Sequence, residues 1–294
     1  MVNPRAWFAE AIATYALVFF GPLSVILSVV AFGDGLTIES ILMISLSHGA
    51  VIALMVYAFG HVSGAHINPA VTIPMMITKK ISVADGVGYI AFQIIGGIIA
   101  TLSLMLILPE IGKPVLWGGH GGPSELLNNS IMSGFVVEVI LTFFLVVVIF
   151  MTAVHKKAPK SVYGAAIGGM VFLLHLVGIP LTGASMNPAR SFAPAIVTGD
   201  ASLLEIQWLY WVAPIIGGII AGVIMNYVFI NKDEQEAKSS SGSSSASKSQ
   251  STSDLKKYEK KYLSRLEKPK SKIKEKEIGY TLVFNVINQR VKKK

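Results

Sequence analysis

The chain has 294 residues, of which 52% are hydrophobic and 14% charged, against about 25% charged in an ordinary soluble protein. Residues 1–230 hold only 8 Lys/Arg and 9 Asp/Glu, whereas residues 231–294 hold 17 Lys/Arg against 8 Asp/Glu. The net charge of +8 therefore describes a tail, and no nucleic-acid partner follows from it. Cysteine is absent, which excludes disulfides, thiolate metal sites and cysteine nucleophiles.

A helix needs about 20 apolar residues to cross the hydrocarbon of a bilayer. In chain order six segments qualify: 6–30, 41–60, 86–108, 131–154, 161–179 and 208–230. The first is too long for a signal-peptide core and lacks a small-residue cleavage site. Two shorter stretches lie between spans two and three and between spans five and six. They contain the triplets Asn68-Pro69-Ala70 and Asn187-Pro188-Ala189, and they end at Lys79-Lys80 and Gly199-Asp200. Pro is favoured at the first helical position and Asn just before it, so each triplet reads as the start of a half-helix too short to span. Arg5, Lys79, Lys80, Lys156, Lys157, Lys160 and the tail fall on one side of a six-span arrangement. The positive-inside rule puts that side, with both termini, in the cytoplasm.

The chain repeats itself. Glu10-x-x-x-Thr14 in span one returns as Glu138-x-x-x-Thr142 in span four, and the heptapeptide 94–100 recurs letter for letter as 215–221. Each half, about 6–108 and 131–230, holds three spans and one triplet. An odd span count forces the second copy to insert with opposite polarity, giving an inverted repeat. The glycines of the heptapeptide, with Gly164 and Gly168, read as close helix packing. Glu10 and Glu138 suit hydrogen bonding to the half-helix loops, and His61 and His66 sit where they would hold the first loop. His155 reads as a plain helix-end residue.

In an inverted repeat the two half-helix starts point at each other near the bilayer midplane. Non-helical backbone at that depth is tolerated only when buried in protein or lining a water-filled cavity, so a pore between the halves is expected. The stretches Ser63-Gly64-Ala65-His66-Ile67-Asn68-Pro69-Ala70-Val71 and Thr182-Gly183-Ala184-Ser185-Met186-Asn187-Pro188-Ala189-Arg190-Ser191-Phe192 resemble the aquaporin or major intrinsic protein family over residues 6–230. The resemblance implies an all-α membrane protein of six tilted helices and two re-entrant half-helices, one pore per subunit and a homotetramer in a cell membrane. It implies that Asn68 and Asn187 orient a passing water, while the half-helix dipoles repel protons and cations.

The resemblance also assigns a selectivity filter to His48, His175, Ala184 and Arg190, with His120 of the loop Gly118–Gly122 as a further contact near Arg190. An Arg inside a membrane segment is costly unless it faces water or finds acceptors, which supports a functional Arg190. Two imidazoles and a guanidinium leave little apolar wall for glycerol, and Ser191 and Ala195 stand where glycerol channels of the family carry Asp and Lys. A His at position 48, where the commonest water channels have an aromatic ring, resembles members that also pass ammonia.

Water is thus the expected solute, with ammonia or a small neutral solute such as glycerol as alternatives. A secondary active transporter shares inverted repeats and broken helices but would need a coupling site, which the few acidic groups in the spans do not suggest. No nucleophile with a base, metal cluster or phosphate loop points to an enzyme, and no cofactor is implied. The tail divides into a Ser-rich linker at 231–253 and a Lys-rich segment at 254–294, with Tyr258, Tyr262 and Leu266 at helical spacing. Asn128-Asn129-Ser130 fits a glycosylation acceptor.

Overall fold

The computed structural model describes residues 3–33, 36–233, 256, 257, 259 and 260. Eight α-helices follow in order among the described residues: α1 (Pro4–Phe32), α2 (Ile38–Ser63), α3 (Pro69–Ile77), α4 (Val83–Ile107), α5 (Ile131–Ile149), α6 (Tyr163–Thr182), α7 (Pro188–Thr198) and α8 (Ala201–Ile224). All but α3 and α7 belong to the six helices long and apolar enough to cross a membrane. The last turns of α5 and α8 widen into π-helix, Phe150–Val154 and Met225–Ile230, which the sequence did not signal.

Most helix starts are fixed by local chemistry. Asn3, Thr37, Ser82, Ser130 and Asp200 each accept a backbone N–H of the following turn, satisfying donors that have no partner within the helix. The Asp200 cap moves the start of the last span seven residues ahead of the expected 208, because Ala201–Gln207 carries Glu205 and Gln207 and so broke the apolar run. That span also continues to Asp233, three residues into the expected linker.

The packing repeats with the sequence. α1 packs on α4 and α2, and α5 likewise on α8 and α6, while the half-helices cross over, α3 onto α8 of the other half and α7 onto α4. α2 and α6 join the halves. There a carbon added to Gly49 would strike the Gly168 carbonyl, and one added to Gly168 the Gly49 carbonyl, so the two backbones lie against each other without side chains between them. The heptapeptide glycines do the same work in both halves, Gly96 against the backbone of Ala11 and Gly217 against that of Val139.

The compact unit Met1–Asp233 holds all of this. Of the expected linker and basic segment, only residues 231–233, 256, 257, 259 and 260 are described, and Lys256, Lys257, Glu259 and Lys260 are helical and exposed. Tyr258, Tyr262 and Leu266 lie outside the described residues.

Candidate functional site

The site begins at the two triplets. Asn68 and Asn187 are the N-caps of α3 and α7, each with extended backbone and its side-chain oxygen accepting from the helix start: Asn68 from Ala70 N at 2.8 Å, Asn187 from Ala189 N at 3.1 Å and Arg190 N at 3.3 Å. Pro69 and Pro188 occupy the first turn, where a missing N–H leaves nothing unpaired, and Ala70 and Ala189 are fully buried behind them. Each amide also reaches across the repeat: Asn68 Nδ2 donates to Met186 O at 2.8 Å and Asn187 Nδ2 to Ile67 O at 2.9 Å. One amide hydrogen of each asparagine is thereby used, leaving the other free to turn to the space between the half-helices.

Two buried carboxylates hold the approach loops. Glu10 accepts from the Ser63 hydroxyl (2.6 Å), His66 N (2.9 Å), Ile67 N (2.6 Å) and Gln93 Nε2 (2.8 Å). Glu138 accepts from the Thr182 hydroxyl (2.7 Å), Ser185 N (2.9 Å) and Met186 N (2.8 Å). These bonds restrain backbone that would not fold this way alone. After the left-handed Gly64 and Gly183, the loops place Ala65, Ile67, Ala184 and Met186 at φ 48°, 59°, 57° and 51°. Non-glycine residues in this region cost about 1–3 kcal/mol each. Sequence propensity gives no hint of it, least of all for the β-branched Ile67.

A cavity of about 320 Å³ runs between the halves. At one end it is bounded by Lys80, Ile81 and Val154, in the middle by Asn68 and Asn187, and at the other by His48, His175 and Arg190. His48 and His175 stack with ring centroids 4.3 Å apart, and each Nδ1–H donates to a carbonyl one turn back, Ile44 O at 2.9 Å and Val171 O at 2.8 Å.

Arg190 is 3% exposed, and its guanidinium is clamped by the segment between α4 and α5. Nη1 donates to Gly118 O at 2.5 Å and to His120 Nδ1 at 3.2 Å. His120 in turn accepts from the Ser191 hydroxyl at 2.9 Å and donates from Nε2 to Gly183 O at 3.2 Å. This pattern needs a neutral imidazole with its proton on Nε2. Burial first, and the Arg190 charge second, push the His120 imidazole well below its usual range, in accord with that neutral form.

The residues expected at the filter are not all disposed alike. His48, His175 and Arg190 border the cavity, whereas Ala184 is fully buried and turns its methyl toward Gly178 of α6. His120 backs Arg190 without bordering the cavity. His66 holds the first loop through Nδ1 and the Thr72 hydroxyl at 3.2 Å and an edge contact with Tyr89, whereas His61, near the end of α2, is exposed. His155 is more than a helix end: its Nε2 lies 3.1 Å from Asp233 Oδ2, which also pairs with Lys157 at 2.9 Å. Sequence reading missed Ser191 as a support of His120, and Gly118 as an acceptor for Arg190. Spacing alone could not reveal either, since both depend on how a long loop returns. Among the described residues no group of three or more His, Cys, Asp or Glu is placed to hold a metal.

The geometry agrees with what the chain resembles. Aquaporin-4 of Rattus norvegicus is 47% identical over 188 residues, covering 64% of this chain, and aquaporin-4 of Homo sapiens matches over the same length at the same identity. The chain spans 56% of the length of these relatives. Aquaporin Z of Rhodopseudomonas palustris is 37% identical over 228 residues, 76% of this chain and 92% of that protein. The X-ray structure of the aquaglyceroporin from Plasmodium falciparum superposes with a TM-score of 0.66 over 79% of this chain and 99% of its own, at 19% identity, a likeness of fold. The model of the family described as Major intrinsic protein matches residues 1–225, and the chain, an integral membrane protein of six spans and two re-entrant half-helices, belongs to that family.

Proposed function

We propose that the protein is a passive channel that conducts water in single file and excludes protons and ions. The observation that carries this reading is the pair of cross-bonded asparagines at the waist of a cavity that runs on to a clamped arginine. At the waist, water meets amide donors and the positive ends of two opposed half-helices. A water accepting from both asparagines has no lone pair left to relay a proton, and the dipoles raise the energy of any cation there. At the far end Arg190 adds a fixed positive charge, and His48 and His175 set the width. The high identity to aquaporin-4 and the near full-length match to aquaporin Z support water as the solute.

Ammonia is the second reading, favoured by the histidines gathered about Arg190: two line the cavity and His120 buttresses the guanidinium. Glycerol is disfavoured by the scarcity of apolar wall at that end and by Ser191, whose hydroxyl is engaged by His120 and Ser185. No enzymatic step and no cofactor belong to this reading. The polypeptide 1–233 is the channel domain, a homotetramer in the cell membrane with both termini cytoplasmic; 234–253 is a linker and 254–294 a basic cytoplasmic segment.

The test is stopped-flow light scattering on liposomes containing the purified chain. Shrinkage no faster than that of bare lipid ends the proposal, and a rate that depends on an imposed ion gradient would favour a secondary active transporter. Alkalinisation in an ammonium gradient, compared with empty liposomes, decides the second reading.

A further inference from the structure

His48 comes from α2, which packs between α1 on one side and α6 on the other. On the α6 side its ring stacks on His175. On the α1 side it meets Gly21. A carbon added there would lie 2.5 Å from His48 Nε2 and 2.9 Å from both Cδ2 and Cε1, the two atoms bonded to it. Equal distances that small place the added carbon over the face of the ring at Nε2, not in its plane, where those two carbons would be well over 3 Å away. The imidazole is therefore pressed flat against bare backbone of α1. Nε2 is buried in that contact with no hydrogen-bond partner among the described residues.

We infer that Gly21 is the positioning residue of the filter: its missing side chain is a notch that receives the His48 ring and so sets the aperture between His48, His175 and Arg190. The ring has no other retreat. Nδ1 tethers it to Ile44 O at 2.9 Å, and its opposite face already touches His175. To restore an ordinary carbon contact of roughly 3.5 Å, a methyl at position 21 must drive the ring about 1 Å toward His175 and the conduit.

The other half of the repeat supplies a contrast. The register that matches Glu10 to Glu138 and Thr14 to Thr142 matches Gly21 to Ile149, and the register of the triplets matches His48 to Ile167. There a large side chain stands at the position of the glycine, an aliphatic one replaces the imidazole, and both border the cavity.

This inference rests on the water-channel reading, and the experiment separates the two. Water permeability per inserted protein is measured in liposomes for the natural chain, Gly21→Ala, His48→Ala and the double variant. A natural chain no faster than bare lipid overturns the channel reading itself. Given a conducting natural chain, Gly21→Ala should lower permeability at least about fivefold, while in the His48→Ala background the same change should leave permeability within about twofold. An undiminished rate in Gly21→Ala, or an equal loss in both backgrounds, overturns the inference. If Gly21→Ala alone fails to fold but the double variant is recovered intact, the clash runs through His48 as inferred. If neither folds, Gly21 serves helix packing and the inference is overturned.

Discussion

The two ends of the cavity are the same piece of protein used twice. The register of the triplets pairs Arg190 with Val71, His175 with Val56, His48 with Ile167 and Ala184 with Ala65. Every polar member of the proposed filter thus has an apolar counterpart, and Val71, Val56 and Ile167 border the cavity at the Lys80 end as Arg190, His175 and His48 border it at the other. The scaffold under both ends is kept: a buried glutamate, a left-handed glycine, two strained residues and a capping asparagine. Duplication supplies the half-helices that make the waist, and in the proposed channel selectivity enters where the copies diverge. The supports diverge as well. His66 and Thr72 tie the first loop to Gln93, whereas Ser185 and Ser191 in the same places tie the second to His120 and so to Arg190.

The largest effect should come from removing the shared scaffold. Glu10→Ala leaves four donors without their acceptor and Glu138→Ala leaves three. Each orphaned buried donor costs about 1–3 kcal/mol, and the loops they restrain are strained. Both variants should fall by several kcal/mol, Glu10→Ala further. Thermal denaturation in detergent, read by loss of monodisperse protein, checks the order; a milder loss for Glu10→Ala would mean that Gln93 and Thr72 take over the restraint.

A smaller and more specific effect is expected from making one end resemble the other. Arg190→Val copies Val71 into the filter. It removes the fixed charge and the bulk together, but the asparagine waist stays. Water flow should persist, while uptake of a small neutral solute should rise by about tenfold or more, and proton leak should rise with it. Solute-driven swelling and a pH-sensitive dye in the same liposomes measure both. Unchanged solute exclusion would move the filter away from Arg190.

What was legible in the sequence follows the same division. The triplets, Glu10 and Glu138, and the repeated heptapeptide are short patterns that recur in the same order in both halves, and with the span count that recurrence made the fold readable. The last span began early because Asp200 caps a stretch whose polar residues hid it from an apolar count. The left-handed Ile67 and Met186 run against local preference and exist only because Glu10 and Glu138 lie across the chain from them. The hold on Arg190 was invisible for a related reason. It comes from a loop whose path depends on Leu116 and Trp117 in left-handed conformations and on Gly118 lying against Pro22. Spacing located Ala184 but could not show that its methyl faces Gly178.

The smallest effect concerns the support found only at the second end. His120 has its imidazole pushed well below the usual histidine range, by burial and then by Arg190, whereas in the unfolded chain it titrates near 6.5. Between those values the unfolded state binds the proton and the folded state does not, so stability rises with pH there. The neutral form's full contribution is therefore present above about pH 6.5 and shrinks as the pH falls toward the lowered value. The filter itself should keep its arrangement through pH 6.5, because His120 Nδ1 still accepts from Arg190 and Ser191. Water permeability should accordingly be flat from pH 8 to 6.5, while the melting temperature starts to fall below that point. In His120→Gln the part of that fall due to His120 should vanish, and a melting curve with the same acid slope as the natural chain would assign the slope to other groups.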